Sequence, residues 1–135
     1  MQALMNGIYS KFTSSTGAGS LHADLSGQLR PYEAEQDDTF PYGVYYLISN
    51  VPAWTFDHDF EEYIIQFNIF DDDSSATDIN TAYSALIALF DDTTLTVTGY
   101  THVYMKRELS MLTREGEERG VWNYMVQYRV YLQKN

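Results

Sequence analysis

From Trp122 to Leu132 every second residue is large and apolar or aromatic: Trp122, Tyr124, Val126, Tyr128, Val130 and Leu132. Asn123, Gln127, Arg129 and Gln133 stand among the residues of the other set. A period of two is satisfied only by an extended strand with one face buried, because a one-residue slip would move the whole apolar set to the wrong side. The chain must therefore supply a sheet for this strand to lie in. Its nearest partner in sequence is the segment from Tyr100 to Leu112, joined to it through the polar tip TREGEERG. Strands of about twelve residues exceed the usual 3 to 10, so the hairpin is expected to project beyond the body as an arm. A two-stranded arm is marginal in water, which calls for something that packs on it.

Leu4, Ile8 and Phe12 recur every four residues with Met5 and Tyr9 beside them, the signature of an amphipathic helix over residues 2 to 15. The stretch SSTGAGSLHADLSGQ, small and polar with three glycines, reads as a loop, and residues 29 to 34 as a short strand. After Pro41, Val44, Tyr46 and Ile48 alternate with Tyr45 and Leu47, so both faces can be covered and a central strand is expected. In FEEYIIQFNIF, Tyr63, Ile65, Phe67 and Ile69 share one face and Glu62, Gln66 and Asn68 the other, a half-buried strand. Ile79, Ala82, Tyr83, Leu86 and Phe90 then fit a helix over about residues 75 to 91, with Asp71 to Ser75 as capping residues. Residues 93 to 104 are β-rich and broken at Gly99. The expected fold is α+β over residues 1 to 135: an antiparallel-dominated mixed sheet, two flanking helices and a long C-terminal β-hairpin. A hydrophobic content of 44%, with 16% aromatic, supplies enough buriable surface to offset chain entropy.

Charge is segregated. Residues 31 to 105 hold fourteen Asp and Glu and no Lys or Arg, within a chain of net charge −11. Phosphate binding requires cations to displace counterions, so the acidic middle can border DNA only as a wall to which DNA does not adhere. One reading makes the acids a solvated surface that keeps an aromatic-rich domain soluble. The other has the basic C-terminal residues Lys106, Arg107, Arg114, Arg119 and Arg129 meet the acidic stretch of a neighbouring copy, which makes self-association partly electrostatic. Arg107, Arg114, Glu117, Glu118, Arg119 and Arg129 are the candidate contacts, and the tip that carries several of them is expected to order on assembly.

Catalysis finds little support. His22, His58 and His102 are scattered and no nucleophile motif accompanies them. Asp57-His58-Asp59 offers metal-type ligands, but adjacent strand residues point to opposite faces. Asp71-Asp72-Asp73 with Asp78 fails as a calcium loop, since Ala76 stands where the glycine is needed and Ala82 where the closing Glu is needed; helix capping accounts for these acids instead. Gly17 and Gly19 lack the spacing and the Lys of a nucleotide loop. No cofactor or metal is expected. Cysteine is absent. The N-terminus lacks the basic flank and apolar run of a signal peptide, and no stretch approaches the roughly 20 apolar residues of a membrane span, so a soluble protein without membrane contact is expected.

Taken together, an N-terminal helix, "LRPYEAEQDDTFPYGVYYLIS", the strand and helix of "EEYIIQFNIFDDDSSATDINTAYSALIALFDD" and the closing "WNYMVQYRVYLQ" resemble the tail-completion proteins of long-tailed bacteriophages, also called tail terminators or tail-to-head joining proteins. The resemblance covers nearly the whole chain. It implies a small α+β subunit that closes into a homo-oligomeric ring, a hexamer, on the phage tail tube. Such a ring joins the tube to head and neck connector proteins, sits in the virion after assembly in the host cytoplasm, and does no chemistry. DNA would pass without specific binding, with Asp57, Asp59, Asp71, Asp72 and Asp73 as candidate channel or interface acids. A head-to-tail contact between two different patches closes into a ring when the rotation permits. The alternative is a small acidic protein that binds and inhibits a host factor, as by mimicking DNA; it predicts a monomer or dimer with carboxylates spaced along an exposed surface.

Overall fold

The computed structural model describes residues 2 to 116 and 120 to 135. In chain order it contains α1 (Gln2–Thr13), α2 (Leu21–Asp24), β1 (Leu29–Pro31), β2 (Tyr42–Trp54), β3 (Asp59–Asp71), α3 (Thr77–Phe90), β4 (Tyr100–Glu115) and β5 (Val121–Lys134). The strands form one sheet in the order β1-β2-β3-β5-β4. β1 runs parallel to β2, and every other pairing is antiparallel. The fold is thus mixed α+β, with β4 and β5 forming the C-terminal hairpin.

The alternation along β3 and β5 decides which face is covered. Phe67 pairs with Tyr45 on one side and Val126 on the other, and Ile65 with Leu47 and Tyr128. Tyr63, Ile65, Phe67 and Ile69 thus share a face with Val126, Tyr128 and Val130, and all seven are fully buried. Onto this face the helices lay their apolar stripes: Leu4, Met5, Ile8 and Phe12 from α1, and Ile79, Ala82, Leu86 and Phe90 from α3. Buried tyrosines add polar bonds between the layers. The Tyr45 hydroxyl donates to the Met5 carbonyl at 3.3 Å, and the Tyr128 hydroxyl to Asp91 Oδ1 at 2.6 Å. Burial pushes the Tyr45 phenol up to about 12, and burial and then Asp91 raise that of Tyr128 further, so both remain donors throughout the neutral range.

Several expectations require correction. A third helix, α2, occupies part of the stretch read as loop; it is one turn long, with Ser20 Oγ accepting from the Ala23 N–H at 3.2 Å. The central strand is β3, not β2, because β1 covers only residues 43 to 45 of β2. The hairpin does not project as an arm: β5 pairs with β3 from Trp122 to Gln133, so the body itself packs on it. Residues 93 to 99 form no strand before the turn at Gly99, whose φ of 85° suits glycine. The acids at 71 to 73 do not cap α3. Its N-cap is Ala76, with no side-chain cap bond, although Ser75 Oγ accepts from the Thr77 N–H at 3.2 Å.

Gly7 gives a direct test of the α1 packing. A Cβ there would lie 2.7 Å from the Thr96 carbonyl oxygen and 3.2 Å from Val97 Cγ2, against the segment whose Leu95 and Val97 are buried. Alanine gains about 0.5–1 kcal/mol in helix propensity, whereas overpacking against backbone costs about 1–3 kcal/mol. Gly7→Ala should therefore lower the urea midpoint, and Gly7→Val lower it more. A raised midpoint for Gly7→Ala would mean that residues 95 to 97 yield without cost.

Candidate functional site

The helices all pack on one side of the sheet, which leaves the other side without a covering helix or strand among the described residues. Pairing register places Tyr46, Gln66 and Gln127 in a row across this open face. Gln127 Nε2 donates to Gln66 Oε1 at 2.9 Å, and Gln66 Nε2 donates to Asn68 Oδ1 at 2.8 Å and to the Tyr46 hydroxyl. Toward one end, the rings of Phe60, Tyr131 and Tyr104 stack at 5.2 Å intervals across β3, β5 and β4. Such a face is pre-ordered by its own hydrogen bonds and stacks, and it offers aromatic area with little side-chain entropy left to lose.

The two outer edges are open as well. Among the described residues, β4 pairs only with β5, and β2 beyond Tyr45 pairs only with β3, so different rows of backbone donors and acceptors face outward at opposite edges of the sheet. At the turn between β2 and β3 the chain exposes large apolar side chains. Trp54 is 75% exposed and Phe56 fully exposed, with Ile48 and Val51 also exposed along β2. The turn is fixed by Thr55 N–H donating to the His58 carbonyl at 2.9 Å. Nothing in the spacing of Trp54 and Phe56 marks them as exposed; their exposure follows from the position of the turn at the end of the β2–β3 ladder.

The sequence-predicted residues divide clearly. Lys106 pairs with Asp92 at 3.1 Å, Arg107 with Asp91 at 3.3 Å, and Arg129 with both Glu62 and Glu108. The basic end of the chain thus meets the acidic middle within one subunit. Arg114 takes a different place, with Nη1 donating to the Ser74 carbonyl at 3.1 Å and its guanidinium 4.5 Å from the Trp122 ring centroid. Glu117, Glu118 and Arg119 lie outside the described residues. Asp57 and Asp59 sit at one end of β3 and Asp71 to Asp73 at the other, a separation of roughly 40 Å for thirteen strand residues. The His22 ring lies 5.1 Å from that of Phe12 and tilted against it, His58 lies in the exposed β2–β3 turn and His102 in β4, where burial lowers its affinity for a proton.

Arg129→Glu would place a third carboxylate beside Glu62 and Glu108. The bond to Glu108 and then the charges of Glu108 and Glu62 raise the guanidinium's affinity for its proton, so the reversal replaces attraction by repulsion on both sides. The expected outcome is a lower melting temperature of the subunit by circular dichroism, with Arg129→Gln intermediate. Equal melting of wild type and Arg129→Glu would show that the triad is not formed in solution.

At the far end of β3, one carboxylate oxygen from each of Asp71, Asp73 and Asp78 lies within 4.8 Å of the other two. Burial raises the Asp71 carboxyl, whereas the Ser75 N–H holds Asp73 low and contact with Asp73 raises Asp78. The three line an open cleft with Phe40, Pro41 and Arg114. Sequence spacing alone, tested against a calcium loop, missed this convergence because Asp71 ends a strand and Asp78 belongs to the first turn of a helix.

No protein-family profile matches the chain, and no curated protein matches it. Among solved structures, a chain of the "Virion of native gene transfer agent (GTA) particle" superposes with a TM-score of 0.76, covering 98% of this chain and 96% of that one at 13% identity. A second solved chain superposes with a TM-score of 0.53, covering 96% of this chain and 94% of that one at 15% identity. At these identities the likeness is one of fold.

Proposed function

We propose that the chain is a non-enzymatic virion assembly protein that closes into a ring, a hexamer, caps a phage-type tail tube and joins it to head or neck connector proteins. The observation that carries this reading is the likeness, over nearly the full length of both chains, to a subunit of a gene transfer agent virion. It accords with the resemblance of the sequence to tail-completion proteins. The surface supports it too. Unpaired edges on opposite sides of one sheet are different patches of the same subunit, the arrangement that a head-to-tail ring uses. An aromatic turn supplies anchors of the kind that dominate protein interfaces.

The acids fit a passage for DNA under one geometric condition. Asp57 and Asp59 can line the same channel as Asp71 to Asp73 only if β3 runs along it, since they occupy opposite ends of that strand. Lining carboxylates repel phosphates over a Debye length of about 8–10 Å, which keeps DNA mobile. Arg107, Arg114 and Arg129 remain candidate contacts with the next subunit, shared with their partners in their own chain.

Light scattering coupled to gel filtration, with negative-stain imaging of the protein mixed with purified tail tubes, tests the reading. The expected result is a ring of six subunit masses seated at one end of the tube and no retention of DNA at physiological salt. A monomer that leaves tube ends bare, and that instead competes with DNA for a nucleic-acid-binding enzyme, would overturn it in favour of a DNA mimic.

A further inference from the structure

The Asp71, Asp73 and Asp78 cleft is more than a solvated acidic surface, because its deepest member is not solvated. Asp71 is 3% exposed, and its Oδ2 has no hydrogen-bond partner among the described residues. A buried carboxylate oxygen without a donor is costly, and a neighbouring pair of carboxylates makes it more so. Nearby protein cations do not relieve it. Arg114 lines the same cleft but spends its guanidinium on the Ser74 carbonyl and the Trp122 ring, and it forms no salt bridge among the described residues. The backbone acceptors are occupied as well: the Asp73 carbonyl takes the Trp122 indole N–H at 2.9 Å.

We propose that Asp71, Asp73 and Asp78 bind one hard divalent cation, calcium or magnesium, with water completing its shell. The donor set is all carboxylate oxygen, which selects hard cations over zinc or copper. Oxygens within 4.8 Å of one another can reach a common ion at 2.3–2.6 Å for calcium after small side-chain movements. The buried Asp71 carboxylate supplies the fixed ligand, and the more accessible Asp73 and Asp78 close on the ion. With three protein ligands and an open site, affinity belongs in the weak range, with a Kd on the order of 10⁻⁴–10⁻³ M.

The consequence is mechanical. Asp71 is the last residue of β3 and Asp78 lies in the first turn of α3, so the ion ties strand to helix. Between them lie the two carbonyls on which the C-terminal hairpin rests, Ser74 under Arg114 and Asp73 under Trp122. Cation binding therefore stiffens the seat of Arg114 and Trp122, whatever assembly the chain enters.

Terbium chloride is the probe, since Trp122 lies beside the site and can sensitise its luminescence. Excitation of tryptophan should give terbium emission that saturates at one ion per chain and is displaced by millimolar calcium chloride or magnesium chloride; which of the two displaces at lower concentration identifies the cation. At ten times Kd, the ion should raise the melting temperature by roughly 2–5 °C over sodium chloride of equal ionic strength. Asp78→Asn, at an exposed position, and Asp71→Asn should each cut the affinity at least tenfold, while Asp57→Asn leaves it unchanged. If Asp71→Asn fails to fold, Asp78→Asn alone decides the matter. Saturable emission that survives Asp78→Asn, or a melting temperature indifferent to both cations, overturns the proposal.

Discussion

Phe67→Ala is expected to lower stability by about 3–5 kcal/mol and the melting temperature by on the order of 10–20 °C. Phe67 is fully buried at the middle of the central strand. Its ring centroid lies 4.8 Å from that of Phe90 on α3, 5.7 Å from Tyr128 on β5 and 5.9 Å from Tyr45 on β2. One side chain thus joins three neighbouring elements, and each contact is lost together. Collapse cannot repair the cavity, because the backbone ladders that pair Phe67 with Tyr45 and Val126 hold the strands apart. Against a total stability of about 5–15 kcal/mol, that loss leaves a subunit near its folding threshold. Phe60 provides the comparison. It lies on the open face, half-buried and stacked on Tyr131, so Phe60→Ala should cost less than half as much. Urea denaturation of both variants checks the difference, and equal losses would place the core elsewhere than on the helix-covered face.

How much of this was legible in the chain depends on whether the controlling contact is local. The faces of β3 and β5 and the stripes of α1 and α3 follow from spacing, because strand and helix periods act between near neighbours. A single helical turn such as α2 has no period to detect. β2 looked central because aromatic residues stand on both of its faces; its second face is instead served by a hydroxyl, Tyr46, held in the amide row of Gln66 and Gln127. Strand length suggested a projecting arm, yet length says nothing of pairing, and β3 is long enough to take β5 from Trp122 to Gln133. Charge misled in the same way. Arg129 and Glu62 are 67 residues apart in sequence, but register places Arg129 opposite Ile64 and within reach of Glu62. Antiparallel return thus neutralises inside the subunit part of a segregation that seemed reserved for its neighbour.

Replacing both Trp54 and Phe56 by serine is expected to abolish self-assembly while leaving the subunit folded. Trp54 stands on the last rung of the β2–β3 ladder, opposite Asp59, and Phe56 lies in the turn beyond it; the exposure of both means that truncation removes no core contact. Serine preserves the turn, since its bond runs from the Thr55 N–H to the His58 carbonyl. The circular dichroism melt should therefore be unchanged within error. Assembly is another matter, because large aromatic anchors at an interface contribute about 2 kcal/mol or more each, and losing two of them weakens a contact by about a thousandfold. In the proposed head-to-tail ring each subunit would donate the turn once and receive it once, so every joint would suffer. The neighbouring acids set a contrasting control. Exposed pairs contribute about 0–1 kcal/mol, so Asp57→Asn with Asp59→Asn should change the rate and salt dependence of association and leave its endpoint in place. Light scattering at low and high salt separates the two effects. If the double serine variant assembles at the concentration that suffices for the wild type, the aromatic turn is not the contact, and the outer edges of β2 and β4 are the surfaces left for the proposed ring.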